Sequence, residues 1–89
     1  MISTRGNDIY REGRKIGWFS NNRIYDQTGK SLGYFTSDTV YDVNGRRLAH
    51  IEDDKVYSGS KQMRLEDVLS GIAAVGLSDA ACVAITTLL

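Results

Sequence analysis

The chain has 89 residues, and its 11 basic and 11 acidic side chains cancel to a formal net charge of zero. That balance argues against a dedicated binder of nucleic acid or of anionic membrane, both of which need a basic face. A chain of this size buries only about 60–65% of the surface its unfolded form exposes, so marginal stability or association between copies is the expectation.

The opening stretch MISTRGNDIY contains no apolar run of about 7–15 residues, so it does not read as a secretory signal and a cytoplasmic location is the simplest expectation. From there a phrase recurs. Tyr10, Tyr25, Tyr41 and Tyr57 each follow a β-branched residue, namely Ile9, Ile24, Val40 and Val56. A second phrase follows in each unit: KIGWF at 15–19, SLGYF at 31–35, RLAHI at 47–51 and a degraded KQMRL at 61–65. A fixed period with an atypical terminal unit marks a repeat array.

Each unit reads as two short strands. Within a unit the link is DQTG or DVNG, where Asp starts a turn and Gly takes the left-handed position. Between units it is Asn21-Asn22, Ser37-Asp38 or Asp53-Asp54, pairs that tolerate positive φ in tight hairpins. Residues 7–65 therefore read as an eight-stranded antiparallel meander, mainly β, followed by a helical tail.

Side chains alternate across a sheet, so parity assigns faces. Links of about three, four, four and three residues within the units keep every unit in register. One face then carries Ile9, Gly17, Phe19, Ile24, Gly33, Phe35, Val40, Ala49, Ile51 and Val56. The other carries Tyr10, Ile16, Trp18, Tyr25, Leu32, Tyr34, Tyr41, Leu48, His50, Tyr57, Met63 and Leu65. The equivalent small residues Gly17, Gly33 and Ala49, with Arg64 as the odd fourth, imply close backbone approach around a central axis.

The β-branched–Tyr–Asp-x-x-Gly phrase, followed by Leu-Gly-aromatic at a 16-residue period, resembles the bacterial four-fold β-flower domains. The resemblance covers about two-thirds of the chain and implies four hairpin petals around a pseudo-four-fold axis, with no assigned activity. YDQTG and YDVNG are also similar to the YD repeats of large bacterial shell and toxin proteins, but those run in long arrays.

From Leu65 the composition turns apolar and helix-forming: LEDVLSGIAAVGLSDAACVAITTLL. Glu66 and Asp67 suit a helix start, and Gly76 with Ser78-Asp79 can end one helix and cap another, so one bent helix or two short ones both fit. Residues 1–65 and 66–89 are accordingly read as a flower domain and a tail. Apolar residues on every side of the tail must be buried somewhere. The tail is long enough to cross a bilayer, yet Asp79 near the midplane would cost about 2.5–3.5 kcal/mol. Burial against the flower or a second copy is preferred. That makes Leu69, Ile72, Val75, Val83, Ile85 and Leu88 the candidate interface of a homo-oligomer, with membrane anchoring the alternative.

No catalytic residue, metal site or cofactor is indicated. Cys82 is the single cysteine and sits among small apolar residues as an inert thiol. Asp26, Asp42, Asp53 and Asp54 fall in turns. His50 occupies the position of Trp18 and Tyr34 and reads as a packing residue. The feature with binding potential is the face bearing Trp18, Tyr25, Tyr34, Tyr41, His50 and Tyr57, which either packs or offers itself to a partner or flat ligand such as a sugar. The expectation is a non-catalytic structural or binding module that self-associates through its tail.

Overall fold

The computed structural model describes residues 1–73 and 76–89. Its strands are β1 (Ile2–Arg5), β2 (Asp8–Arg11), β3 (Arg14–Ser20), β4 (Arg23–Asp26), β5 (Ser31–Phe35), β6 (Thr39–Asp42), β7 (Arg47–Glu52), β8 (Lys55–Ser58), β9 (Lys61–Arg64) and β10 (Ile72–Ala73). Two helices, α1 (Leu65–Ser70) and α2 (Asp79–Leu88), flank β10. All ten strands share one sheet in the order β10-β1-β2-β3-β4-β5-β6-β7-β8-β9. Neighbours are antiparallel except β10, which runs parallel to β1 with Ile2 opposite Ile72 and Ser3 opposite Ala73.

Among the described residues ten strands stand where eight were expected, and the additions are β1 and β10. β1 completes a hairpin ahead of the first repeat unit and buries Ile2. β10 is two residues long, and its extended form comes from the partner it meets rather than from any alternation of its own.

The turns explain the meander. Glu12-Gly13, Asn21-Asn22 and Asp53-Asp54 have both residues at positive φ, the type I′ geometry whose twist matches that of the strands. Ser37-Asp38 differs, with neither residue left-handed. Asn22 has φ 65°, so Asn22→Gly is expected to leave stability unchanged or raise it by up to about 1 kcal/mol, read from a chemical-denaturation midpoint. A clear loss there would contradict the turn assignment.

Register shifts at Ile9/Tyr10, Ile24/Tyr25 and Val40/Tyr41 leave Ile16, Leu32 and Leu48 as the extra residues of three equivalent β-bulges. One residue assigned by parity to each of these links is therefore a bulge. The paired residues of the first three units take the expected faces, but Ile16 and Leu32, expected on the aromatic face, pack against the core, because a bulge residue leaves the strict alternation.

The fourth unit is corrected. Its link is Gly59-Ser60 alone, there is no bulge, and Met63 lies opposite Val56. Met63 and Leu65 thus belong to the Val56 face, not to the aromatic one. A repeated hydrogen bond confirms the equivalence. Phe19, Phe35, Ile51 and Leu65 donate their N–H to the carbonyls of Asn7, Asn22, Asp38 and Asp54 at 3.0, 2.9, 2.7 and 2.9 Å. Leu65 is the counterpart of Phe19, and Met63, rather than Arg64, is the counterpart of Gly17.

The core lies between the sheet and the tail. Ile9, Ile24, Val40 and Val56, the four residues preceding the repeat tyrosines, are all at most 1% exposed. Packed against β4 to β7 and α1 is α2, in which every residue from Ala80 to Ile85 is buried. An all-round apolar helix must be enclosed, and here its own chain encloses it. At about 1.5 Å per residue this ten-residue helix is far shorter than the 30 × 29 × 20 Å body that holds it. The two-helix form of the tail is adopted, with Ser78 Oγ accepting from Ala81 N–H at 3.1 Å as the cap of α2. No helix among the described residues is long and apolar enough to cross a membrane.

The crowding inferred at Gly17 and Gly33 is real but has a different origin. A Cβ on Gly17 would overlap the carbonyl oxygen of Tyr25, and one on Gly33 that of Tyr41. The close approach lies between the facing strands of neighbouring units, β3 with β4 and β5 with β6, rather than at a central axis. At Gly33, Leu88 of α2 adds a second wall, 3.0 Å from the position of a Cβ.

Candidate functional site

Opposite the core, cross-strand pairing sets the candidate residues side by side. Trp18 faces Tyr25, Tyr34 faces Tyr41, and His50 faces Tyr57. Ring centroids are 5.5, 5.0 and 5.0 Å apart, with interplanar angles of 18°, 19° and 16°. The six residues therefore form three separate offset stacks, each half-buried. Such pairs stabilise a hairpin by several tenths of a kcal/mol to about 1 kcal/mol. Each ring has one face taken by its partner. Trp18 has Lys15 Nζ over its ring at 5.4 Å, and the same ammonium pairs with Asp8 at 3.2 Å. Tyr10, without a stacking partner, lies under the Arg5 guanidinium at 5.7 Å. His50 behaves as the third member of the series. Its Nε2 lies 3.8 Å from a carboxylate oxygen of the more exposed Glu52.

The stacks are not equally covered. After Trp18–Tyr25 comes the link 26–30, built on Asp26, whose Oδ1 accepts from Thr28 N–H, Thr28 Oγ1–H and Lys30 N–H at 2.8, 2.6 and 3.0 Å. The Thr28 hydroxyl first, then the Lys30 amide, hold the Asp26 carboxyl below the usual aspartate range. Asp42 organises the link 42–46 in the same way, accepting from the amides of Asn44 and Arg46, both at 2.9 Å. These loops reach back over the preceding stacks: a Cβ on Gly29 would sit 3.5 Å from Trp18 Cη2, and one on Gly45 3.4 Å from Tyr34 Oη. After His50–Tyr57 the link is only Gly59-Ser60, and a Cβ on Gly59 would meet nothing within 4 Å. A cavity of about 140 Å³ opens there, lined by Arg47, Leu48, Ala49, His50, Tyr57 and Gly59.

A larger open cleft of about 580 Å³ lies where the fourth unit has no successor and α1 stands in its place. Leu65 and Leu69 form its apolar side, with Asp54, Lys55, Arg64 and Asp79 around it. Arg64 is paired with Glu66 at 3.3 Å. Sequence reasoning did not find this cleft, because a turn, a strand end and two helices meet there only in three dimensions.

The tail residues divide. Val83 and Ile85, at 2% and 0% exposure, belong to the chain's own core and offer no surface to a second copy. Leu69, Ile72 and Leu88 are half-buried at the margin of that core, and Val75 lies outside the described residues. Of the two burials expected for the tail, against the flower or against a second copy, the sheet and α1 supply the first for α2. Cys82 is buried, and burial, with a smaller contribution from Asp79, raises its thiol pKa, which disfavours the thiolate.

These features define a class: a single sheet of repeated hairpins, stacked on one face and filled on the other by a C-terminal helix. Residues 22–64 match the family described as 4-fold beta flower protein, so over that segment the family resemblance drawn from the repeat phrase is established. No curated protein and no solved structure matches the chain.

Proposed function

We propose that the chain is a non-catalytic structural or binding module, in which eight strands, β2 to β9, form four hairpin units related four-fold about α2. The observation that carries this reading is the burial of Ile9, Ile24, Val40 and Val56, one per unit, in the same core as Val83 and Ile85. The four equivalent hydrogen bonds, each closing the base of one unit, support it further. So does the use of reactive groups in packing and turns: His50 stacks, Cys82 is buried, and Asp26 and Asp42 shape loops.

In this reading, self-association joins subunits that are already complete, through surfaces other than α2. Serial dilution, with mass followed by static light scattering and strand content by circular dichroism, provides the test. At dilutions where the mass falls to that of one subunit, the strand signal is expected to stay unchanged; the melting midpoint rises with concentration for any associating native state and does not discriminate. A strand signal lost together with the assembly would mean that copies finish one another's cores, and the reading would be wrong.

A further inference from the structure

We propose that the third stack, His50–Tyr57, is a binding site for a small oxyanion, a phosphate or carboxylate group, held by Arg47, His50 and Tyr57. The case starts from a difference between equivalent hairpins. Loops 26–30 and 42–46 cover the first two stacks, whereas the two-residue link after the third leaves the 140 Å³ cavity open. The residue types change at the same place. Where the covered stacks have Trp18 and Tyr34, the uncovered one has an imidazole. Opposite the repeat tyrosine stand Lys15 in the first unit, Ser31 in the second and Arg47 in the third; Lys15 is engaged by Asp8 and the Trp18 ring, whereas Arg47 lines the open cavity.

The resulting lining suits an anion. Arg47 brings five N–H donors and no acceptor, His50 a ring N–H, and Tyr57 a phenolic O–H. No carboxylate lines the cavity. Leu48 and Ala49 form an apolar wall, which strengthens charge-assisted hydrogen bonds beside it. At roughly 30 Å³ per water the space equals about four or five waters, enough for one phosphate or carboxylate group but not for a nucleoside or disaccharide. The opposing charge is Glu52, 3.8 Å from His50 Nε2, which competes for the imidazole and keeps affinity low.

The test is an NMR titration of the full chain with inorganic phosphate, with acetate as a second arm and chloride as the ionic-strength control. Saturable shifts centred on Arg47, His50 and Tyr57 are expected, with half-saturation in about the millimolar range. Saturation by acetate as well assigns the site to oxyanions generally, and saturation by phosphate alone narrows it to phosphate. Arg47→Ala should weaken binding about tenfold or more, and Glu52→Gln should tighten it. Arg23→Ala removes an exposed cation opposite Tyr34, beside a covered stack, and should leave binding unchanged. Shifts that grow without saturation, or that match those in chloride, overturn the proposal. So does a loss equal in Arg23→Ala and Arg47→Ala, which would reveal only diffuse attraction to surface charge.

Discussion

Gly33→Val is expected to lower stability by about 3 kcal/mol, a fall of roughly 12–24 °C in the melting midpoint for a domain of this size. The new Cβ would collide with the Tyr41 carbonyl, which is fixed by the β5–β6 ladder, and lie 3.0 Å from Leu88 Cδ1. Leu88 can rotate away, but the carbonyl can move only if the ladder does. Relief therefore requires separating two central strands, with Leu88 repacked as well. Thr36→Ala, at an exposed position three residues on, should change stability by less than about 0.5 kcal/mol. A Gly33→Val melt within a few degrees of wild type would show that the strands do not approach as described.

Ile85→Ala is expected to cost about 2–5 kcal/mol, since it removes three carbons from a fully buried side chain at the centre of the core. Ile85→Asp should abolish the fold altogether, because a carboxylate there has no described polar partner in a core that buries no polar residue. Circular dichroism separates this outcome from the rival one. If Ile85 served an interface between finished subunits, the aspartate variant would dissociate but keep its strand signal. If Ile85 fills its own chain's core, the signal is lost. Thr86→Ala, on the exposed side of α2, is the matched control and should be nearly silent.

Much of this architecture was legible in the repeat phrase. Tyrosines that follow β-branched residues fixed both the register and the two faces, because one residue of slip would have put Ile24 in solvent and Tyr25 in the core. The fourth unit was misread by one residue, for a local reason. Gly59-Ser60 closes a tighter turn without a bulge, and the Val56–Met63 register with the hydrogen bond from Leu65 to Asp54 reveals that Leu65 continues the series of Phe19, Phe35 and Ile51. β10 was invisible, since two residues carry no periodicity and their strand form depends on β1. The stacks were visible as cross-strand pairs. The open cavity beside His50 was not singled out, although its signal was present in the shorter YSGSK where sister units read YDQTGKS and YDVNGRR.

The placement of α2 also bears on how the molecule is made. It follows all ten strands in the chain, yet it supplies the centre of the core that the sheet encloses. Hairpins form within about 1–10 μs once their residues are free. The sheet's hairpins are local in the chain, whereas α2 must be brought back across β4 to β7, so strands can pair before the helix docks. Until it docks, Ile24, Val40 and Val56 lack the helix that covers them. The nascent protein would then present a row of greasy side chains to whatever is nearby. Substitutions that slow the docking of α2 should therefore reduce the yield of soluble protein by more than their effect on equilibrium stability alone would imply.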